Sequence, residues 1–136
     1  MGFLHTINDD YADAVKADEV NILYGRDYFY EKLHNLKFKI SPLSFFQVNT
    51  KAAEKLYQIV IDYLEGTEDE KVYDLYSGQD ATSQIIAPYM KEVIGIELDA
   101  NAVQKTKENA ELNNIDICKL MAWNLCSMVT HKKKLA

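Results

Sequence analysis

The segment Glu92-Val93-Ile94-Gly95-Ile96-Glu97-Leu98 is a nearly unbroken apolar run of strand length, and it restricts the fold more than any other feature of the chain. A strand wet on one face alternates apolar with polar residues, whereas a continuous run belongs in a parallel sheet covered on both faces. Parallel strands cannot be joined by a tight turn, so helices must flank the run. Downstream, Asp99 can cap a helix over residues 100–112, which leads through Asn113-Asn114 to a third strand at 117–122. Upstream, residues 71–76 form a strand that turns at Ser77-Gly78, and a helical stretch from Thr82 is ended or kinked by Pro88. Earlier still, Asn49-Thr50 makes a good N-cap, and Leu56, Ile59, Val60, Tyr63 and Leu64 share one helical face until Gly66 stops the helix.

Helix, strand, helix, strand, helix, strand is the opening half of a doubly wound, Rossmann-like α/β sheet. Complete sheets of this kind carry further strands, so the chain is expected to be an incomplete fragment. The hydrophobic period changes near residue 50. Before it, residues 20–24, 28–30 and 36–40 are rich in β-branched and aromatic residues, with a turn at Gly25-Arg26-Asp27 and a stop at Ser41-Pro42, so an antiparallel hairpin or small meander fits. A weakly patterned short helix over 12–17 is also compatible. The expected organisation is a β-rich linking segment over 1–48 and a partial Rossmann-like domain over 49–136.

Charge and cysteine content narrow the function. Fifteen Lys and Arg against twenty-one Asp and Glu leave a net charge of −6, which argues against a chain whose main work is gripping phosphate backbone, so any nucleic-acid contact must be local or supplied elsewhere. Cys118 and Cys126 are too few for a disulfide framework or a four-thiolate metal site, and a reducing, cytoplasmic setting is the expectation. No apolar run approaches a membrane span. His5, His34 and His131 lack metal-ligand spacing, so no metal is expected, and surface or strand-packing roles suit them better. An exposed sheet surface would favour self-association.

The chemistry concentrates at Asp74-Leu75-Tyr76-Ser77-Gly78, where a strand ends in a glycine turn, with Glu97 at the end of the next strand. In Rossmann-like sheets the first turn brings backbone N–H groups to a ligand, while an acidic residue after the second strand accepts from ribose hydroxyls. There is no GxGxxG, so a dinucleotide pyrophosphate lacks a seat and S-adenosylmethionine is the better candidate. The spacing alone fits equally an ordinary strand-turn-helix with a surface Glu.

A longer stretch carries a resemblance. Residues 38–49, Phe-Lys-Ile-Ser-Pro-Leu-Ser-Phe-Phe-Gln-Val-Asn, are similar to the signature that precedes the methyltransferase domain of the RNA (uracil-5-)-methyltransferases acting on tRNA and ribosomal RNA. Leu23-Tyr24-Gly25, residues 74–78, Gly95-Ile96-Glu97 and residues 109–114 sit where that family has matching blocks. The resemblance implies an S-adenosylmethionine-dependent methyl transfer to uracil C5 of structured RNA. It also implies that Gln47 hydrogen-bonds the cofactor, Tyr76 and Gly78 lie against it, Glu97 holds its ribose and Asn124 stands where the family binds adenine. In that family a cysteine thiolate adds to uracil C6, C5 takes the methyl group and a base removes the C5 proton. Both groups are expected beyond residue 136, and neither Cys118 nor Cys126 is assigned the nucleophile.

Two departures stand out. The family turn resembles Gly-Thr-Gly-Thr, but here it is Gly78-Gln79-Asp80-Ala81, which puts a Cβ and a carboxylate where backbone should approach the ligand. Trp123-Asn124 replaces Gly-Asp after the third strand. A non-catalytic remnant that serves as a binding or interaction module is the competing expectation, and a dinucleotide-dependent oxidoreductase a distant third.

Overall fold

The computed structural model describes residues 2–9, 17–64, 69–78, 81–116 and 118–122. All but the last residue of the expected helix at 12–17, the Gly66 stop, the departures at Gln79 and Asp80, and Trp123 and Asn124 therefore fall outside the described residues.

The N-terminal part forms two antiparallel hairpins. In the first, β1 (Phe3–Ile7), a strand the sequence reading did not anticipate, pairs with β2 (Glu19–Tyr24). In the second, β3 (Phe29–Leu33) pairs with β4 (Leu36–Ile40). The expected turn at residues 25–27 thus joins two separate sheets. His34 and Asn35 close the β3–β4 hairpin with φ of 47° and 65°, the positive pair that a two-residue turn of matching twist demands. His34 is also held by packing, as expected: its Nε2 lies 2.8 Å from the Glu54 carbonyl oxygen, and its ring meets Tyr57 edge-on.

The second part follows the expected alternation. Helix α1 (Thr50–Tyr63) begins at Asn49, whose side-chain oxygen accepts from the Ala52 N–H at 3.1 Å. Strand β5 (Lys71–Leu75) leads to α2 (Thr82–Ile86), which tightens into a 3-10 turn over Ala87–Tyr89 at Pro88. Strand β6 (Glu92–Glu97), α3 (Ala100–Leu112) and β7 (Cys118–Ala122) complete the described chain. Asp99 caps α3 by accepting from the Asn101 N–H at 2.9 Å. The three strands lie in the order β5-β6-β7, all parallel. At their amino ends Glu92 accepts from both Lys119 and Lys71, which lowers its carboxyl to about 2.

One core joins both parts. Leu33, Phe38 and Ile40 of the second hairpin are buried together with Tyr57 of α1, Ile85 of α2 and Val93 of β6. Of the apolar face read for α1, Val60 and Leu64 pack against this core, while Leu56, Ile59 and Tyr63 are exposed and Ala53, Tyr57 and Ile61 take the buried positions. The free edge of β4 is closed by side chains. Asn109 accepts from the Lys39 N–H at 2.7 Å and donates to the Lys39 carbonyl at 3.3 Å; Asn113 does the same to Lys37 at 2.8 and 2.9 Å. Two amides one helical turn apart on α3 thereby replace a neighbouring strand and satisfy backbone groups that would otherwise be orphaned.

Candidate functional site

The carboxyl ends of β5 and β6 turn into their helices side by side, and the clefts that bind ligands in open α/β sheets lie at such ends. Strand β5 stops at Leu75 because Tyr76 enters the left-handed region with φ of 61°, and Gly78 does so again at 59°. For a residue as bulky as tyrosine this is an unusual conformation, of the kind that surrounding contacts must hold and that clusters at functional sites. A Cβ on Gly78 would find nothing closer than the Tyr76 carbonyl oxygen at 3.9 Å. Among the described residues the glycine is required by its φ rather than by crowding.

Glu97 ties the two turns together. Its Oε2 accepts from the Gly78 N–H at 2.7 Å, while Oε1 accepts from the N–H groups of Leu98 at 2.6 Å and Asp99 at 3.0 Å. A carboxylate offers about four acceptor positions, so the described residues leave one direction on Oε2. The Thr106 hydroxyl on α3 is within 3.1 Å of the Gly78 carbonyl oxygen, and the Ser83 hydroxyl donates to Asp74 at 2.9 Å, fixing the start of α2 to β5. Gly95 makes this closeness feasible: a Cβ there would sit 2.7 Å from Leu120 Cδ2 and 3.2 Å from the hydroxyls of both Ser77 and Ser83.

Two lobes of a cleft meet over Phe45 and Gly78. The smaller, about 210 Å³, is uncharged and aromatic, lined by Phe45, Phe46, Gln47, Tyr57, Tyr76 and Thr82 among others. The larger, about 720 Å³, is bounded by Glu97, Asp18, Asp99, Glu108 and Lys105 along with loop residues 42–45. Together they fall within the size range of small-molecule sites. Four carboxylates against one ammonium make the larger lobe a poor seat for phosphate and a good one for hydroxyl and amino groups.

Of the sequence-derived site residues, Gln47, Tyr76 and Gly78 line the first lobe, and Gly78 and Glu97 the second. Asn124 lies outside the described residues. The sequence reading gave no separate role to Phe45, which forms the wall shared by both lobes and is 79% exposed. Its place beside Gln47 within the 38–49 signature is the one sequence signal that bears on it; its exposure emerges only in the fold. Loop 41–44 shapes that wall, with Leu43 at φ of 63°.

Comparison with known proteins places this fold among methyltransferases. The tRNA (uracil-5-)-methyltransferase family model matches residues 13–135. An uncharacterized RNA methyltransferase of Clostridium tetani (strain Massachusetts / E88) is 51% identical over 98% of this chain and 29% of its own length. One from Clostridium acetobutylicum is 44% identical with the same coverage. The crystal structure of Pyrococcus abyssi tRNA (uracil-54, C5)-methyltransferase in complex with S-adenosyl-L-homocysteine superposes with a TM-score of 0.75 at 25% identity, over 90% of this chain and 30% of that one. The chain thus spans less than a third of the length of these three proteins, and its sheet is that of a Rossmann-like methyltransferase.

Proposed function

The chain belongs to the tRNA (uracil-5-)-methyltransferase family, and from that premise we propose that it forms an S-adenosylmethionine-binding part, the first half of the Rossmann-like sheet, of an enzyme that methylates uracil C5 in structured RNA, tRNA or ribosomal RNA, in the cytoplasm. The observation that carries the cofactor reading is the two-lobed cleft at the ends of β5 and β6, one lobe aromatic and uncharged, the other rimmed by carboxylates. A nucleoside without phosphates suits the acidic lobe, and aromatic faces favour a sulfonium cation. S-adenosylmethionine supplies an electrophilic methyl group on that sulfonium.

In this reading the remaining acceptor direction of Glu97 takes a ribose hydroxyl. The backbone over Gly78 gives the cofactor close approach, and Tyr76 and Phe45 cover it. Gln47, both donor and acceptor, meets the zwitterionic methionine end, and Asn124 is assigned to the adenine. Residues 49–136 make up the methyltransferase part, with 1–48 as its β-rich linking segment. Strand β5 pairs only with β6 among the described strands, and Tyr73 and Leu75 on it are more than half exposed. This surface is proposed as the place where copies associate.

Calorimetry with S-adenosylhomocysteine tests the cofactor assignment. The chain should bind it in preference to a nicotinamide dinucleotide, and Gln47→Ala should weaken it by roughly two- to tenfold, the loss of one hydrogen bond. A folded chain that ignores S-adenosylhomocysteine would overturn the assignment and favour an interaction module.

A further inference from the structure

Strands β3 and β4 turn Leu33, Phe38 and Ile40 into the core, so period-2 alternation places Tyr28, Tyr30, Lys32, Lys37 and Lys39 on the opposite face. That face is built as one array. The Arg26 guanidinium carbon lies 5.0 Å from the centre of the Tyr28 ring and 5.9 Å from that of Tyr30. Lys37 Nζ stands 3.9 Å over Tyr30, Lys39 Nζ stands 4.9 Å from Tyr28, and the two rings meet edge-to-face at 5.6 Å. In a chain of net charge −6, three cations are gathered here around two tyrosines, and Lys32 shares their face.

Their arrangement is costly for the hairpin itself. Lys32 and Lys37 are direct cross-strand partners, and like charges at opposed positions destabilise a strand pair. Among the described residues the carboxylate paired with this group is Glu108, 3.5 Å from Lys39, in a contact where both side chains are over a third exposed and which is therefore weak. Repulsion left standing on a small hairpin is accounted for if the face meets a polyanion. The interleaved rings favour one with planar bases, because a base can take the face of Tyr30 while the displaced ammonium turns to the neighbouring phosphate.

We propose that the outer face of the β3–β4 hairpin, centred on Arg26, Tyr30, Lys37 and Lys39, is a contact surface for a single-stranded segment of RNA. The inference rests on the methyltransferase reading for its choice of RNA, and it supplies the local nucleic-acid contact that an acidic chain of that family requires.

The test is fluorescence anisotropy of a short labelled single-stranded oligouridylate with the 136-residue chain, over a range of salt, alongside calorimetry with S-adenosylhomocysteine. The double variant K37Q/K39Q should raise Kd on the order of tenfold and lower the slope of log K against log salt by about 1.4, two single-strand phosphate contacts. Tyr30→Ala should weaken binding roughly fivefold or more through lost stacking, and Tyr30→Phe should retain it. All three should keep wild-type affinity for S-adenosylhomocysteine. Unchanged RNA affinity and salt slope in a folded K37Q/K39Q variant would overturn the inference. So would polyglutamate competing as well as RNA with no effect of Tyr30→Ala, which would mark a surface for acidic proteins. A wild-type chain that binds S-adenosylhomocysteine but not RNA overturns this inference alone, whereas one that binds RNA but not S-adenosylhomocysteine supports it and removes the cofactor reading.

Discussion

Replacing Glu97 by glutamine preserves its shape and removes its ability to hold both turns at once. The carboxylate accepts from Gly78 on one oxygen and from Leu98 and Asp99 on the other. Glutamine has a single acceptor oxygen. If that oxygen stays toward Leu98 and Asp99, the amide NH2 faces the Gly78 N–H, donor against donor, and a part-buried hydrogen bond is lost at about 1–3 kcal/mol. If the amide flips, two exposed bonds are lost instead, each re-solvated at a net cost of about 0.5–1.5 kcal/mol. Either orientation costs about 2 kcal/mol, a large share of the 5–15 kcal/mol typical of a domain. For a chain of this length the corresponding fall in Tm is roughly 6–10 °C. Urea unfolding followed by circular dichroism should show a lower midpoint at unchanged slope, and S-adenosylhomocysteine affinity should fall with it because the Gly78 turn is part of the cleft wall. An unaltered midpoint in Glu97→Gln would refute the clamp, and Glu97 would then be a ligand-facing side chain with no structural duty.

Glu92 gives a pH signature. Its carboxyl is lowered to about 2 by hydrogen bonds from Lys119 and then Lys71, so the stability it contributes is present above its ordinary value near 4.5 and is lost as pH falls from there toward 2. Thermal melts of wild type and Glu92→Gln should differ at neutral pH and converge by about pH 2; a gap that ignores pH would sink the claim. Association through Tyr73 and Leu75 should appear as a sedimentation coefficient that rises with concentration and is suppressed by Leu75→Lys, and concentration-independent monomers would count against that surface.

Much of the α/β half was legible because its signals are local. Asn49, Asp99 and Pro88 mark helix starts and a stop by chemistry that acts within a turn, and the apolar run at 92–97 announces burial on both faces. The α1 stripe was only partly legible, since Leu56, Ile59 and Tyr63 share the apolar period with Val60 and Leu64, and period alone does not say which side meets a partner. Strand β1 was missed because five residues without strict alternation give no strand signal until β2 lies beside them. At the candidate site, the placing of Gly78 and Glu97 at neighbouring strand ends was legible through spacing, whereas the threefold engagement of Glu97 and the position of Phe45 depend on tertiary geometry. So does the amide pairing of Asn109 and Asn113, which joins positions 70 and 76 residues apart.

That pairing also sets a schedule. During synthesis at about 5–20 residues per second, the 76-residue interval between Lys37 and Asn113 amounts to roughly 4–15 seconds in which β4 has emerged and its outer edge has no cover. An uncovered strand edge is a template for pairing with another chain. Lys37 and Lys39, whose backbone groups form that edge, carry positive charges that repel a second copy of the same strand, so the residues assigned to RNA would also guard the nascent hairpin until α3 arrives.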